Sequence, residues 1–192
     1  MNTFYKELDN KIQQAVKVEM QNIQRKIGKE RIYAVALVTD SDCVTLFLAV
    51  NTYEYLQRRD KKYAKELDLS EEDLKNVKEG SVSLTQWIPD EWGYSDGKNS
   101  QLNMISELLF EHDESEEYDE ESYEENQRLF FETVTSAMEH LIAEKVFGEY
   151  SEEITFFISM SDDERAEEIE NYSAKLLNSA DIYENFYHRN IF

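Results

Sequence analysis

RIYAVALVTDSDCVTLFLAVNTYEYL, residues 31–56, is the stretch that decides the fold. Over 31–39, Tyr33, Val35, Leu37 and Thr39 form one alternating face and Ala34, Ala36 and Val38 the other. A strand that is apolar on both faces belongs in the middle of a sheet covered on both sides. Asp40, Ser41 and Asp42 are turn residues, and 43–50 returns as a second strand, so the pair reads as an antiparallel hairpin. Asn51-Thr52 ends it. Thr52 then caps a helix reaching about Leu67, with Tyr53, Leu56, Tyr63, Ala64 and Leu67 turned inward.

Outward from the hairpin, helical periodicity dominates. Residues 3–27 repeat Phe4, Leu8, Ile12, Ala15, Val16, Met20, Ile23 and Ile27 at three- and four-residue spacing, with Thr3 as a cap and Gly28 as the stop. Ser70-Glu71-Glu72-Asp73 opens a further helix that ends at Gly80. Residues 82–97 hold the single proline and both tryptophans, and read as a short strand near 82–88, a turn at Pro89 and a fragment ending at Gly97. Residues 100–110 carry a Leu102, Ile105, Leu108, Leu109 stripe. Residues 122–146 form a second long helix, facing inward with Leu129, Phe130, Val134, Ala137, Met138, Leu141 and Ile142. A strand follows at 154–160. Ser161 or Asp162 then caps a helix to Asn178, and the aromatic tail from Tyr183 packs on the body. Early and late strands with helices between predict an α+β domain: a small, mainly antiparallel sheet surrounded by helices, in one domain of 192 residues.

Charge is unevenly placed. The chain carries 20 basic and 42 acidic residues, a net of −22. Residues 1–78 are near neutral, so the excess lies in the remainder, and Glu111 to Glu125 holds ten carboxylates with no Lys or Arg. Like charges this dense repel, which predicts a loop or frayed helix end near 111–121. Arg58, Arg59, Lys61, Lys62 and Lys65 form the opposing cluster. Such acidity argues against binding nucleic acid, whose phosphates require a basic face, and against an anionic membrane. It favours a basic protein partner, drawn in by the field of the acidic segment. The expected contacts are Glu114, Glu116, Glu117, Asp119, Glu120 and Glu121. Trp87 and Trp92 read first as anchors of an irregular loop and second as a platform for the partner.

Signals for catalysis are thin. With five glycines there is little room for a phosphate-binding loop. His112, His140 and His188 are far apart in sequence, and one cysteine excludes an intramolecular disulfide and a Cys-based zinc cluster. Cys43, at the head of an apolar strand, reads as a buried, inert thiol. Asp40-Ser41-Asp42 is too short for a calcium loop, and Asp162-Asp163-Glu164 reads as first-turn acids complementing a helix dipole. No cofactor or metal is expected. The first residues lack a signal-peptide pattern and no apolar run reaches membrane length, which predicts a cytoplasmic protein.

Four stretches together resemble a bacterial family known as domain of unknown function 4303. They are Ala49-Val50-Asn51-Thr52 running into Tyr53-Glu54-Tyr55-Leu56; Trp87-Ile88-Pro89-Asp90-Glu91-Trp92-Gly93-Tyr94; Phe147-Gly148; and Ser161-Asp162 followed by Leu176-Leu177-Asn178. The resemblance implies a small acidic domain of the kind found beside secreted toxin systems, hence an immunity or antitoxin-type protein that neutralises a basic toxin domain. Asn51, Trp87, Glu91, Trp92, Gly148 and Asp162 read as structural: Asn51 and Asp162 as caps at strand-to-helix junctions, Gly148 as a left-handed helix exit. The competing functions are a regulatory or scaffolding module with another partner, and a carboxylate- or metal-dependent enzyme.

Overall fold

The computed structural model describes residues 3–67, 69, 75–76, 83–116 and 118–189. The helix expected over 70–80 therefore lies largely outside the described residues. In chain order the elements are α1 (Thr3–Ile27), β1 (Ile32–Thr39), β2 (Phe47–Thr52), α2 (Tyr53–Glu66), β3 (Tyr94–Ser95), α3 (Gln101–Ser115), α4 (Glu120–Ala143), β4 (Thr155–Met160), α5 (Ala166–Leu177) and α6 (Ala180–Tyr187), with short 3-10 turns at Pro89–Glu91 and Ser151–Glu153. The fold is α+β.

The sheet order is β3-β2-β1-β4. β1 pairs antiparallel with β2, β2 antiparallel with β3, and β1 parallel with β4. β1 is the central strand, buried on both faces as its apolar pattern requires. One face packs Val35, Leu37, Leu48, Val50, Phe156 and Ile158 under α1, α3 and α4. The other packs Ala34, Ala36, Val38 and Ala49 with Phe157 under Leu56 of α2, Ala174 of α5, Phe186 of α6 and the tryptophan loop. Alanines on that second face leave room for large rings: Trp92 lies 5.7 Å and Phe186 4.8 Å from Phe157.

Tyr33 departs from the alternation. It packs with the alanine face, not with Val35 and Leu37. The β1–β2 register shifts between Ile32 and Ala34, and such a bulge re-aims the side chain within it. Its hydroxyl donates to the Gln86 carbonyl at 2.8 Å and accepts from Asn51 Nδ2 at 3.0 Å.

The second strand begins later than 43. Asp40 Oδ1 accepts the N–H groups of Val44 and Thr45, and Cys43 takes φ 60°, so this segment is committed to the turn. Likewise no strand occupies 83–88. There the buried Asp60 of α2 accepts the N–H groups of Leu84 and Thr85, each at 3.1 Å, and holds the chain in a turn.

Side chains bond the outer edge of β4 and the start of β2, where β3 does not reach. On β4, Asn178 Oδ1 accepts the Phe156 N–H at 2.9 Å and its Nδ2 donates to the Phe156 carbonyl at 2.7 Å, while Ser173 Oγ takes the Ile158 N–H at 2.8 Å. At the start of β2, the N–H of Leu46, just before the strand, goes to Ser106 Oγ and that of Leu48 to Asp96 Oδ1. Unpaired edges invite strand addition; on β4 the backbone groups of Phe156 and Ile158 are already bonded.

Candidate functional site: the acidic end of the sheet

The C-terminal ends of the parallel strands β1 and β4 lead into the turns that carry Asp40, Asp42, Asp162 and Asp163. The end of α3 and the start of α4 meet them there. Tyr123 of α4 donates to Asp42 Oδ1 at 3.3 Å, and Gln127 Nε2 donates to the Ser41 carbonyl at 2.9 Å. Arg165 joins the two turns: it donates to Gln127 Oε1 at 2.9 Å and pairs with Asp163 at 2.8 Å. Its bonds hold the Asp163 carboxyl down to about 2.

α3 runs to Ser115 and α4 starts at Glu120, so the helices reach further into the acidic stretch than the loop expected over 111–121. Asp119 explains the second boundary. Its carboxylate accepts the Ser122 N–H while Ser122 Oγ accepts the Asp119 N–H, a reciprocal cap. Glu120 and Glu121 then occupy a helix N-terminus, where negative charge is favourable. Burial raises the Asp113 carboxyl above its ordinary value, and the charges of Asp42 and Glu114 push it further.

Among the expected contact residues, Glu114, Glu116, Asp119, Glu120 and Glu121 are brought together and exposed; Glu117 lies outside the described residues. Trp87 and Trp92 are not with them. Both sit in the aromatic layer on the opposite face of the sheet, where Trp92 Nε1 donates to the Gln86 carbonyl at 3.0 Å and Trp87 lies edge-on to Phe186 at 5.0 Å.

Two apolar residues of the site carry no charge signal and were missed by reading the sequence for charge. Met104 and Phe110 of α3 are 67% and 53% exposed. Helical geometry places Glu107, Glu111 and Glu114 between them on the outer arc, opposite the buried Leu102, Ile105 and Leu109. The unbroken exposure of this helical face, rather than its composition, is the signal that finds them.

Among the described residues, three members of the basic cluster pair away from the acidic end. Arg58 pairs with Glu30 at 2.8 Å, Arg59 with Glu91 at 2.5 Å and Lys62 with Glu66 at 3.9 Å.

Among the described residues no three His, Cys, Asp or Glu side chains are placed to hold a metal ion. Cys43 lies beneath the turn, where burial and then the Asp40 charge push its thiol up to about 12, far from a thiolate at neutral pH. No helix among the described residues is long and apolar enough to cross a membrane.

The sequence profile of the family described as Domain of unknown function (DUF4303) matches residues 12–179. The chain belongs to the DUF4303 family. No curated protein and no solved structure is significantly similar to it. Placed on the fold, two of the motif readings need correction. Thr52, not Asn51, caps α2, accepting the Tyr55 N–H at 3.1 Å, while the Asn51 amide is spent on Tyr33 and the Thr52 N–H. Asp162 is not a cap: it takes φ 54° in the turn, and α5 begins four residues later, after Arg165. At the exit of α4 the residue at φ 57° is Lys145, and Gly148 follows at φ 122°, a value only glycine adopts without strain.

Proposed function

We propose that this DUF4303 chain is a non-enzymatic cytoplasmic binding domain that docks a basic protein on the acidic end of its sheet. The observation that carries the reading is the convergence of carboxylates from both strand-end turns, α3 and α4 on one end, edged by exposed Met104 and Phe110. Carboxylates steer a basic partner and set its orientation; exposed apolar side chains supply the desolvated anchors that hold it. The resemblance stated above supplies the finer reading, in which the partner is a toxin domain whose basic groove the carboxylates fill.

The test compares the wild-type chain with Glu114, Glu120, Glu121 and Glu124 all changed to Lys. Asp119 is spared because it caps α4, and Glu125 because it pairs with Arg128. The immobilised wild type retains one stoichiometric basic partner from native lysate at low salt and releases it as salt rises, and the variant retains none. A variant that binds the same partner equally well, or a wild type that binds none at either salt, defeats the reading.

A further inference from the structure

At the opposite end of the sheet, about 25 Å away along the eight residues of β1, a half-enclosed cleft opens where β1 and β4 begin. Its volume is about 240 Å³ and its floor is apolar, formed by Ile32, Phe147 and Ile154. Tyr53 and Tyr150 wall it and remain 42% and 71% exposed. Exposed rings beside an apolar floor need an account, and packing gives none for Tyr150.

The charge around the cleft is one-sided: Glu30, Glu149 and Glu153 against Arg31. Arg31 lies over the Tyr53 ring, its guanidinium carbon 5.2 Å from the centroid, so one wall already holds a cation by its face. Glu30 is committed to Arg58, Thr52 and Tyr94. Lys145 takes Glu149 at 2.9 Å. The Glu153 carboxylate has no hydrogen-bond or ion-pair partner among the described residues.

The cleft is smaller than usual metabolite pockets of roughly 300–1,000 Å³, and fits one long side chain. An apolar floor for a methylene stem, a ring face for a planar cation and an open carboxylate at the rim are the groups that recognise arginine. We propose that this cleft receives an exposed arginine side chain of a partner protein, its guanidinium placed between the Tyr150 ring and the Glu153 carboxylate. The proposal does not rest on the acidic end, and the charge-reversed variant described above retains the cleft.

The experiment titrates the 15N-labelled full chain with Nα-acetyl-arginine amide and follows the Gly148 amide. The expected result is a saturable shift centred on 148–153, with a Kd on the order of 1 mM for so small a probe. The neutral isostere Nα-acetyl-citrulline amide gives no shift. Tyr150→Ala and Glu153→Gln each weaken binding about five-fold, whereas Tyr150→Phe, which keeps the ring, retains it. Both positions are at the surface, so the variants' unperturbed spectra away from the cleft show that they fold. An absent shift, equal binding of the citrulline probe, or variants that bind like wild type would overturn the proposal. Tighter binding of free L-arginine than of the blocked form would overturn it in favour of an amino-acid site.

Discussion

Asn178 closes the outer edge of β4 single-handedly at Phe156, and removing its side chain should cost more than any exposed asparagine would. Its amide serves both backbone groups of Phe156, at 2.9 and 2.7 Å, and also the Ala174 carbonyl at 2.7 Å. Phe156 is buried, so water cannot freely replace these bonds. Leaving a buried donor or acceptor unsatisfied costs about 1–3 kcal/mol, so Asn178→Ala should lose about 2–4 kcal/mol. Asn178→Asp separates the two halves of the bond pattern. One oxygen still accepts the Phe156 N–H, but the other faces two carbonyls in place of an N–H donor. The folded state then favours the protonated acid, raising the new carboxyl above its unfolded value of about 3.9. Stability is therefore fullest at acidic pH and falls as pH rises through the raised folded value. Urea unfolding followed by tryptophan fluorescence at pH 5 and 8 reads both effects, because Trp87 and Trp92 lie on the sheet. An Asn178→Ala variant within about 0.5 kcal/mol of wild type would refute the sealed-edge argument, as would an Asp variant whose deficit relative to Ala does not change with pH.

Three further substitutions test other contacts. Gly93→Ala places a Cβ 2.5 Å from the Tyr55 ring, and should lower stability by about 1–3 kcal/mol in the same urea assay. Arg189 is 1% exposed and pairs with Glu170 at 2.8 Å, so Arg189→Met should cost about 3–5 kcal/mol by leaving a buried carboxylate without its cation. Burial already holds Glu170 above its ordinary value despite its bonds to Ser159 and Arg189; losing the arginine raises it further, so the deficit should grow as pH rises from the wild-type folded value towards the variant's higher one. Cys43 should resist a thiol reagent in the folded chain at neutral pH and react once urea unfolds it; rapid labelling of the native protein would contradict its burial.

What could be read in the sequence is what periodicity controls. α1, α4 and the double-sided β1 follow from apolar spacing alone, and the Thr52 cap from residue type. The late start of β2 and the turn at 83–88 share one cause: a polar side chain bonding to backbone across a turn or remote from it. Asp40 claims the amides of Val44 and Thr45 and so delays β2, although that stretch is apolar enough for a strand. Asp60 fixes Leu84 and Thr85 from twenty-odd residues away. Asp96 and Ser106 seal β2, and Asn178 and Ser173 seal β4, from other elements. The pairings between separate elements leave no local pattern. The acidic end was legible as charge; its apolar edge at Met104 and Phe110 was not, because the same residues on a covered helix would be core.

The acidic stretch divides at the α3–α4 junction into halves with opposite local energetics, which allows its purpose to be tested without a partner. Glu120 and Glu121 begin α4, where negative charge meets the positive end of the helix dipole. Glu111, Asp113 and Glu114 end α3, where the same charge meets the negative end. Asp113 adds a separate conflict: burial and the charges of Asp42 and Glu114 raise its carboxyl, so ionising it disfavours the folded state, and stability falls as pH rises through the raised value. Helix energetics therefore account for the acids of α4 and run against those of α3. Neutralising α3 with Glu111→Gln, Asp113→Asn and Glu114→Gln should raise Tm at pH 7. Glu120→Gln with Glu121→Gln should lower it. If both sets lower Tm, the whole stretch is structural, and the docking reading loses its main support. If the first set raises Tm and the second lowers it, the carboxylates ending α3 are held at a cost to the fold, which is the mark of a surface shaped for something outside it.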